Sequence, residues 1–378
     1  MRPLSLLRPS LLAAAAGLCA ACASAPPAPA PVADNYGSAA IVDRINRLLR
    51  EPFSDTQTVD VIYATNRVET GDPEECGDSA FGTQPTGKTS YGVCRINVPK
   101  RHSVGGFELA DTPHSDPHRY FRVLSHVKMD ETALKALVAS KKPADLLLFV
   151  HGFNVKFGEA IVRTAQLAYD LKFQGPVMVY TWPAGSANFM DAAIINRTYE
   201  ANKSNAAVSV GQLSALLKTL ASLDVRVHVL VHSMGHQVAL PALAKSAPII
   251  NKQYIGELIL NAPDYPLREF PQIVLQITPV AKRVTLYCSY NDNAIAASEV
   301  WNRGRRVGAC EQIPGVDVIN VGEIDAPALG IGGLGHGYYA SRPILTDIFQ
   351  LLVGMPAERR LFVRRSEPNS VENFVLRP

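Results

Sequence analysis

Val227-His228-Val229-Leu230-Val231-His232-Ser233-Met234-Gly235 carries the strongest structural signal in the chain. Its first five residues are nearly all apolar, as in a strand buried on both faces. The next residues break the run, and 235–246 then reads as a helix. A buried strand that turns sharply into a helix around a serine has the layout of a nucleophile elbow. Such a turn presents its serine at the carboxyl end of the sheet, where open α/β folds place their chemistry. One position departs from the pattern. The first small residue of the turn, ordinarily Gly or Ala, is Val231. Its β-branched side chain is expected to distort the local backbone or to open the sheet slightly.

Outward from this stretch, helix and strand alternate from about residue 130. Helices are expected at 131–140, 159–173, 206–223 and 343–353. Strands are expected at 146–150, 177–181, 257–260, 283–288 and 316–321. That rhythm predicts an α/β fold, with a mainly parallel central sheet and helices on both faces. Upstream, 58–64, 91–98 and 120–127 read as strands, separated by loop sequence rich in Gly, Pro, Asp and His. This N-terminal part is expected to be antiparallel.

A serine hydroxyl needs a base to take its proton, and the base needs an anion to hold its tautomer. The order Ser, then acid, then His can be met at strand ends. Asp292, in S-Y-N-D-N, follows the 283–288 strand. His336, in L-G-H-G-Y-Y, follows 316–321 on a glycine-rich loop. Asp292 competes with a plain helix-capping role, and Asp264 in N-A-P-D is its rival as the acid. His151 and His232 are expected to brace the backbone of their turns. Attack on a carbonyl makes an oxyanion, which needs preorganised donors. Met234 N–H supplies one candidate. Phe153 N–H, in the H-G-F-N that follows 146–150, supplies the other.

These motifs have a family context. F-V-H-G-F-N, A-Q-L-A-Y-D-L, Y-T-W-P, V-H-S-M-G, N-A-P-D, T-L-Y-C-S-Y-N-D and L-G-H-G-Y-Y together resemble an α/β-hydrolase family labelled DUF900, with Y-A-T-N-R at 63–67 also fitting. The resemblance runs over roughly 58–350. It implies the α/β-hydrolase fold with Ser233, Asp292 and His336 as triad, and it leaves the substrate open.

The N-terminus reads as an export leader. Arg2 and Arg8 precede a short apolar core at 11–18, too short to span a bilayer. Cys22 follows Ala20-Ala21, like a lipoprotein processing site, although Cys19 stands where leucine is usual. Residues 1–21 are therefore the expected leader. Residues 22–40 are a Pro/Ala-rich tether that cannot pack a core, and 41–378 form one α/β-hydrolase domain, opening on an amphipathic segment at 41–49. The formal charge is +3, and losing Arg2 and Arg8 brings it to +1. That balance gives no case for nucleic acid. Four cysteines remain in the body: Cys76, Cys94, Cys288 and Cys310. An even number in an exported chain fits disulfides. Of three pairings, Cys76–Cys94 with Cys288–Cys310 costs least in loop closure.

The expectation is an exported serine esterase or lipase-like enzyme, without metal or cofactor, acting on a small-molecule or lipid ester. A lipid anchor at Cys22 would hold it to the cell envelope; without one it would be secreted. Peptide or thioester hydrolysis on the same triad is one alternative. A binding protein that merely kept the fold is another. Residues 184–205, with Phe189, Met190, Ile194 and Ile195, are a candidate lid.

Overall fold

The chain is described by a computed structural model over residues 56–378, apart from 72–75, 111–114, 186–191 and 325–335. The leader, Cys22, the tether, the 41–49 segment, Phe189, Met190 and the side chains of Ile194 and Ile195 lie outside the described residues.

Alternate side chains of a strand point to opposite faces. In β4 (Asp145–Val150), Leu146, Leu148 and Val150 join one core, while Leu147 and Phe149 join the other. The same division holds in β5 (Val177–Thr181) and β6 (Arg226–His232), so the centre of the sheet needs helical cover on both sides. Helices α1 (Glu131–Lys141), α3 (Ala192–Ala221), α4 (His236–Ile250) and α5 (Phe270–Ile277) pack on the first face. Helices α2 (Phe157–Asp170) and α7 (Arg342–Leu352) pack on the second.

The sheet has eleven strands. The others are β1 (Thr56–Glu69), β2 (Phe81–Pro99), β3 (Arg122–Met129), β7 (Ile255–Asn261), β8 (Ala281–Cys288), β9 (Asp317–Asn320), β10 (Val363–Arg365) and β11 (Phe374–Leu376). Their order is β10-β11-β9-β8-β7-β6-β4-β5-β1-β2-β3. From β9 to β1 every pairing is parallel; β1, β2 and β3 pair antiparallel, as expected for the N-terminal part. Strand β1 joins the two regions by running parallel to β5.

Three expectations change. The helix expected to begin at 206 begins at Ala192, so 192–205, part of the candidate lid segment, is helix. Its early turns bury Tyr199 and Asn202, which hold polar partners rather than an apolar stripe, and hydrophobic periodicity does not register them. Two further elements were not expected: the short helix α5, which buries Phe270, Val274 and Ile277, and the β10–β11 pair, which extends the sheet beyond β9. The sheet does not open at Val231. It pairs with Val150 on one side and Leu260 on the other, and its side chain is fully buried.

Candidate active site

Strand β6 ends near the middle of the sheet, and the chain turns at once into α4. Ser233 takes a φ of +52°, a left-handed conformation that costs a non-glycine residue about 1 kcal/mol. Gly235 makes the turn possible, because a Cβ there would overlap the His151 carbonyl oxygen. Gly152 serves the same purpose across the cleft. A Cβ on it would stand 2.8 Å from Ser233 Cβ and 2.9 Å from His232 Nδ1.

Ser233, His336 and Asp292 form one hydrogen-bonded chain. His336 Nδ1 lies 2.7 Å from Asp292 Oδ2 and 3.0 Å from Oδ1. A carboxylate only accepts, so Nδ1 carries the proton and donates it. Nε2 is then left as acceptor for the Ser233 hydroxyl, 2.6 Å away. All three residues are buried. Asp292 also caps α6 (Asn293–Asn302), its Oδ1 accepting from the amides of Ala294 and Ile295. Capping and the contact to histidine are thus one arrangement: the helix end fixes the carboxylate that faces His336.

Asp264 does not reach the histidine. Its Oδ1 accepts from Ser298 Oγ at 2.6 Å and pairs with Arg306 Nε at 3.2 Å. Its Oδ2 accepts from Tyr199 Oη and Gln237 Nε2. The residue supports the elbow from behind, through a long 3.4 Å bond from its amide to the Ser233 carbonyl.

The neighbouring histidines brace backbone. His232 Nε2 donates to the His336 carbonyl at 3.3 Å, and its ring lies 4.0 Å from that of Tyr339. Burial, aided by the adjacent His336, holds its pKa well below the ordinary range, so it stays neutral in this role. His236 Nδ1 donates to the Ser233 carbonyl at 2.7 Å; burial lowers its pKa to about 3. His151 Nδ1 donates to the Gly152 carbonyl, and its Nε2 accepts from Thr181 Oγ1. Burial and then the Arg67 charge lower its pKa to about 3.

Arg67, at the end of β1, was not legible as a site residue. It is almost completely buried, and burial brings its pKa down to about 9. Its guanidinium donates to the carbonyls of Val155, Ala184 and Gly82 and to Thr181 Oγ1. Asn202 on α3 adds a second tie. Its Oδ1 accepts from the amides of Asn154 and Gly185. Together they fix loop 151–155, which carries Phe153, against the loop after β5. Only the Thr-Asn-Arg at the end of an alternating strand hinted at this. Among the described residues no backbone acceptor takes the Phe153 N–H. Met234 N–H lies in the first turn after β6, where amides have no helical acceptor.

Both disulfides form with the local pairing, Cys76–Cys94 and Cys288–Cys310. Among the described residues no helix is long and apolar enough to cross a membrane.

The comparisons with known proteins agree with this architecture. No curated protein matches the chain. The family model described as alpha/beta hydrolase of unknown function, DUF900, matches residues 127–355, a span that includes Ser233, Asp292 and the described part of the His336 loop and leaves Arg67 outside. With that match over more than half its length, the chain belongs to the DUF900 family of α/β hydrolases.

Proposed function

We propose that the protein is an exported serine hydrolase of the carboxylesterase or lipase-like kind, working through an acyl-enzyme on Ser233. The observation that carries this reading is the closed chain from Ser233 Oγ through His336 to Asp292, at 2.6 Å and 2.7 Å, on a serine held in the left-handed region. In the proposed reaction His336 Nε2 takes the hydroxyl proton as Oγ attacks the ester carbonyl. The amides of Phe153 and Met234 receive the developing oxyanion. His336 then gives the proton to the leaving alcohol oxygen. A water attacks the acyl-serine by the same route in reverse and releases the acid.

The substrate side of this reading is a small-molecule or lipid ester. An apolar cavity of about 540 Å³ over Ser233 supports it, since such a space suits a short acyl group. Export is supported by the two disulfides, which form and persist in oxidising compartments. Anchoring through a lipid on Cys22 belongs to the same proposal. Membrane fractionation of wild type beside Cys22→Ala tests it, and equal release of both would remove the anchor.

Labelling of the folded protein with a fluorophosphonate probe, wild type beside Ser233→Ala, tests the central claim. Labelling that disappears in the variant is expected. A folded wild type that takes no label would favour a binding protein instead.

A further inference from the structure

The two halves of the cavity over Ser233 differ in chemistry. One half is walled by Phe153, Tyr199, Ile295, Ala297 and Trp301. The other is walled by Glu159 and Arg163 of α2, loop 103–106 and residues 339–341. Asp264 also borders the cavity, but both of its oxygens are already engaged, with Arg306 among the partners.

Arg163 is positioned by neutral acceptors. Its Nη1 donates to the Gly105 carbonyl at 2.6 Å and to Gln166 Oε1 at 2.7 Å. The guanidinium carbon lies 4.5 Å from the Phe107 ring centre and 5.7 Å from that of Tyr339. Among the described residues no carboxylate oxygen pairs with it within 4.0 Å. Among the described residues Nε and Nη2 have no acceptor, and the fork they form suits a carboxylate or phosphate. Glu159, one turn away on the same helix, feels the Arg163 charge, and burial nevertheless raises its pKa.

His336 borders this half of the cavity through the backbone that follows it. A Cβ on Gly105 would overlap the Ala340 carbonyl oxygen, so loop 103–106 rests on backbone that closely follows His336. The Tyr339 ring that faces Arg163 also packs on His232, whose ring centre is 4.9 Å from that of His336. A base that protonates the leaving oxygen must have the alcohol part of the ester beside it.

We propose that the ester cleaved at Ser233 carries an anionic group on its alcohol part, bound by Arg163, and an apolar acyl part between Phe153, Tyr199 and Trp301. The proposal rests on the serine-hydrolase reading. The step balances within that reading. The acyl carbon bonds to Oγ, its bond to the alcohol oxygen breaks, and the anionic alcohol departs with the proton His336 took from Ser233.

The test compares 4-butyryloxybenzoate with its neutral methyl ester on wild type, Arg163→Gln and Arg163→Lys. A second pair, the monophenyl ester of glutaric acid and its neutral methyl phenyl diester, puts the carboxylate on the acyl part. The readout is the ratio of kcat/KM for charged over neutral ester within each protein, so any loss of folded enzyme cancels. The ratio for the benzoate is expected to fall about tenfold or more in Arg163→Gln, the usual scale for a hydrogen bond to a charged group, and to be partly kept in Arg163→Lys. The glutarate ratio is expected not to move. An unchanged benzoate ratio, or a fall confined to the glutarate, overturns the proposal. If Ser233 takes the fluorophosphonate label but neither benzoate-derived ester is cleaved, the substrate class is wrong and the serine reading stands. Absence of both label and turnover removes the two together.

Discussion

Asp292→Asn should abolish activity while leaving the fold nearly intact, because the capping contacts dictate which way the new amide faces. Oδ1 of Asp292 accepts from the amides of Ala294 and Ile295, and those donors can be satisfied only by the oxygen of an asparagine. The NH2 group is then forced to the Oδ2 position, 2.7 Å from His336 Nδ1. A donor there requires Nδ1 to be unprotonated, which moves the proton to Nε2, the nitrogen 2.6 Å from Ser233 Oγ. The base then faces the hydroxyl in the wrong tautomer. A change of this kind lowers kcat by about 10⁴, or about 5 kcal/mol of transition-state stabilisation. The cap survives, so stability should change by less than about 1 kcal/mol. Asp264→Asn should show the opposite balance. It strips the ion pair from buried Arg306, at a cost of about 3 kcal/mol in stability. Activity per folded molecule should stay within about tenfold of wild type, because no bond of the Ser233–His336–Asp292 chain is touched. The assay is kcat on a chromogenic ester, normalised by active-site titration, beside urea denaturation of each variant. Greater loss of normalised kcat in Asp264→Asn than in Asp292→Asn would refute the reasoning.

Gly152→Ala should cut kcat about 100-fold or more, the scale of losing an oxyanion donor, since its methyl would stand 2.8 Å from Ser233 Cβ and displace the adjoining Phe153 amide; near-normal kcat with a full titration of sites would argue against Phe153. Glu257 is buried with both oxygens lacking a hydrogen bond, and burial raises its pKa from 4.5 to about 7. The folded state thus holds the proton longer than the unfolded chain, so this group's contribution falls as pH rises from 4.5 towards 7 and is then unfavourable by about 3 kcal/mol. Denaturation of Glu257→Gln should show its advantage over wild type appearing across that window; a difference independent of pH would count against it. Replacing Cys288 and Cys310 together by serine opens a 22-residue separation and should cost about 3 kcal/mol, seen as a lower denaturation midpoint. No change in midpoint would mean that the bridge adds nothing to stability.

The parallel centre of the sheet and the residues that follow its strands were legible in the sequence. Runs such as Leu146–Val150 and Val227–Val231 are apolar at every or nearly every position, which only a doubly covered parallel sheet accommodates. Ser233 follows such a strand, Asp292 and His336 come after the parallel strands β8 and β9, and parallel strands deliver their following residues to a common edge. Disulfide pairing was legible too, because short loops close at the least entropy.

Only the tertiary structure decided what depends on polar contacts between distant segments. Asp264 and Asp292 both follow strands, and the choice between them came from Arg306, Tyr199 and Ser298 closing around one and leaving the other to His336. The role of Arg67 rests on carbonyls far along the chain, and carbonyls carry no sequence signature. The early turns of α3 were missed because Tyr199 and Asn202 are buried by hydrogen bonding rather than by an apolar stripe. Arg163 has no distinguishing motif around it, and it lines the cavity with its guanidinium bonded to the Gly105 carbonyl of a loop far away in sequence. Hydrophobic burial follows the local pattern of residues, so it is written in the sequence. The direction and partner of a polar group depend on which loops meet, and that is set when the sheet is assembled.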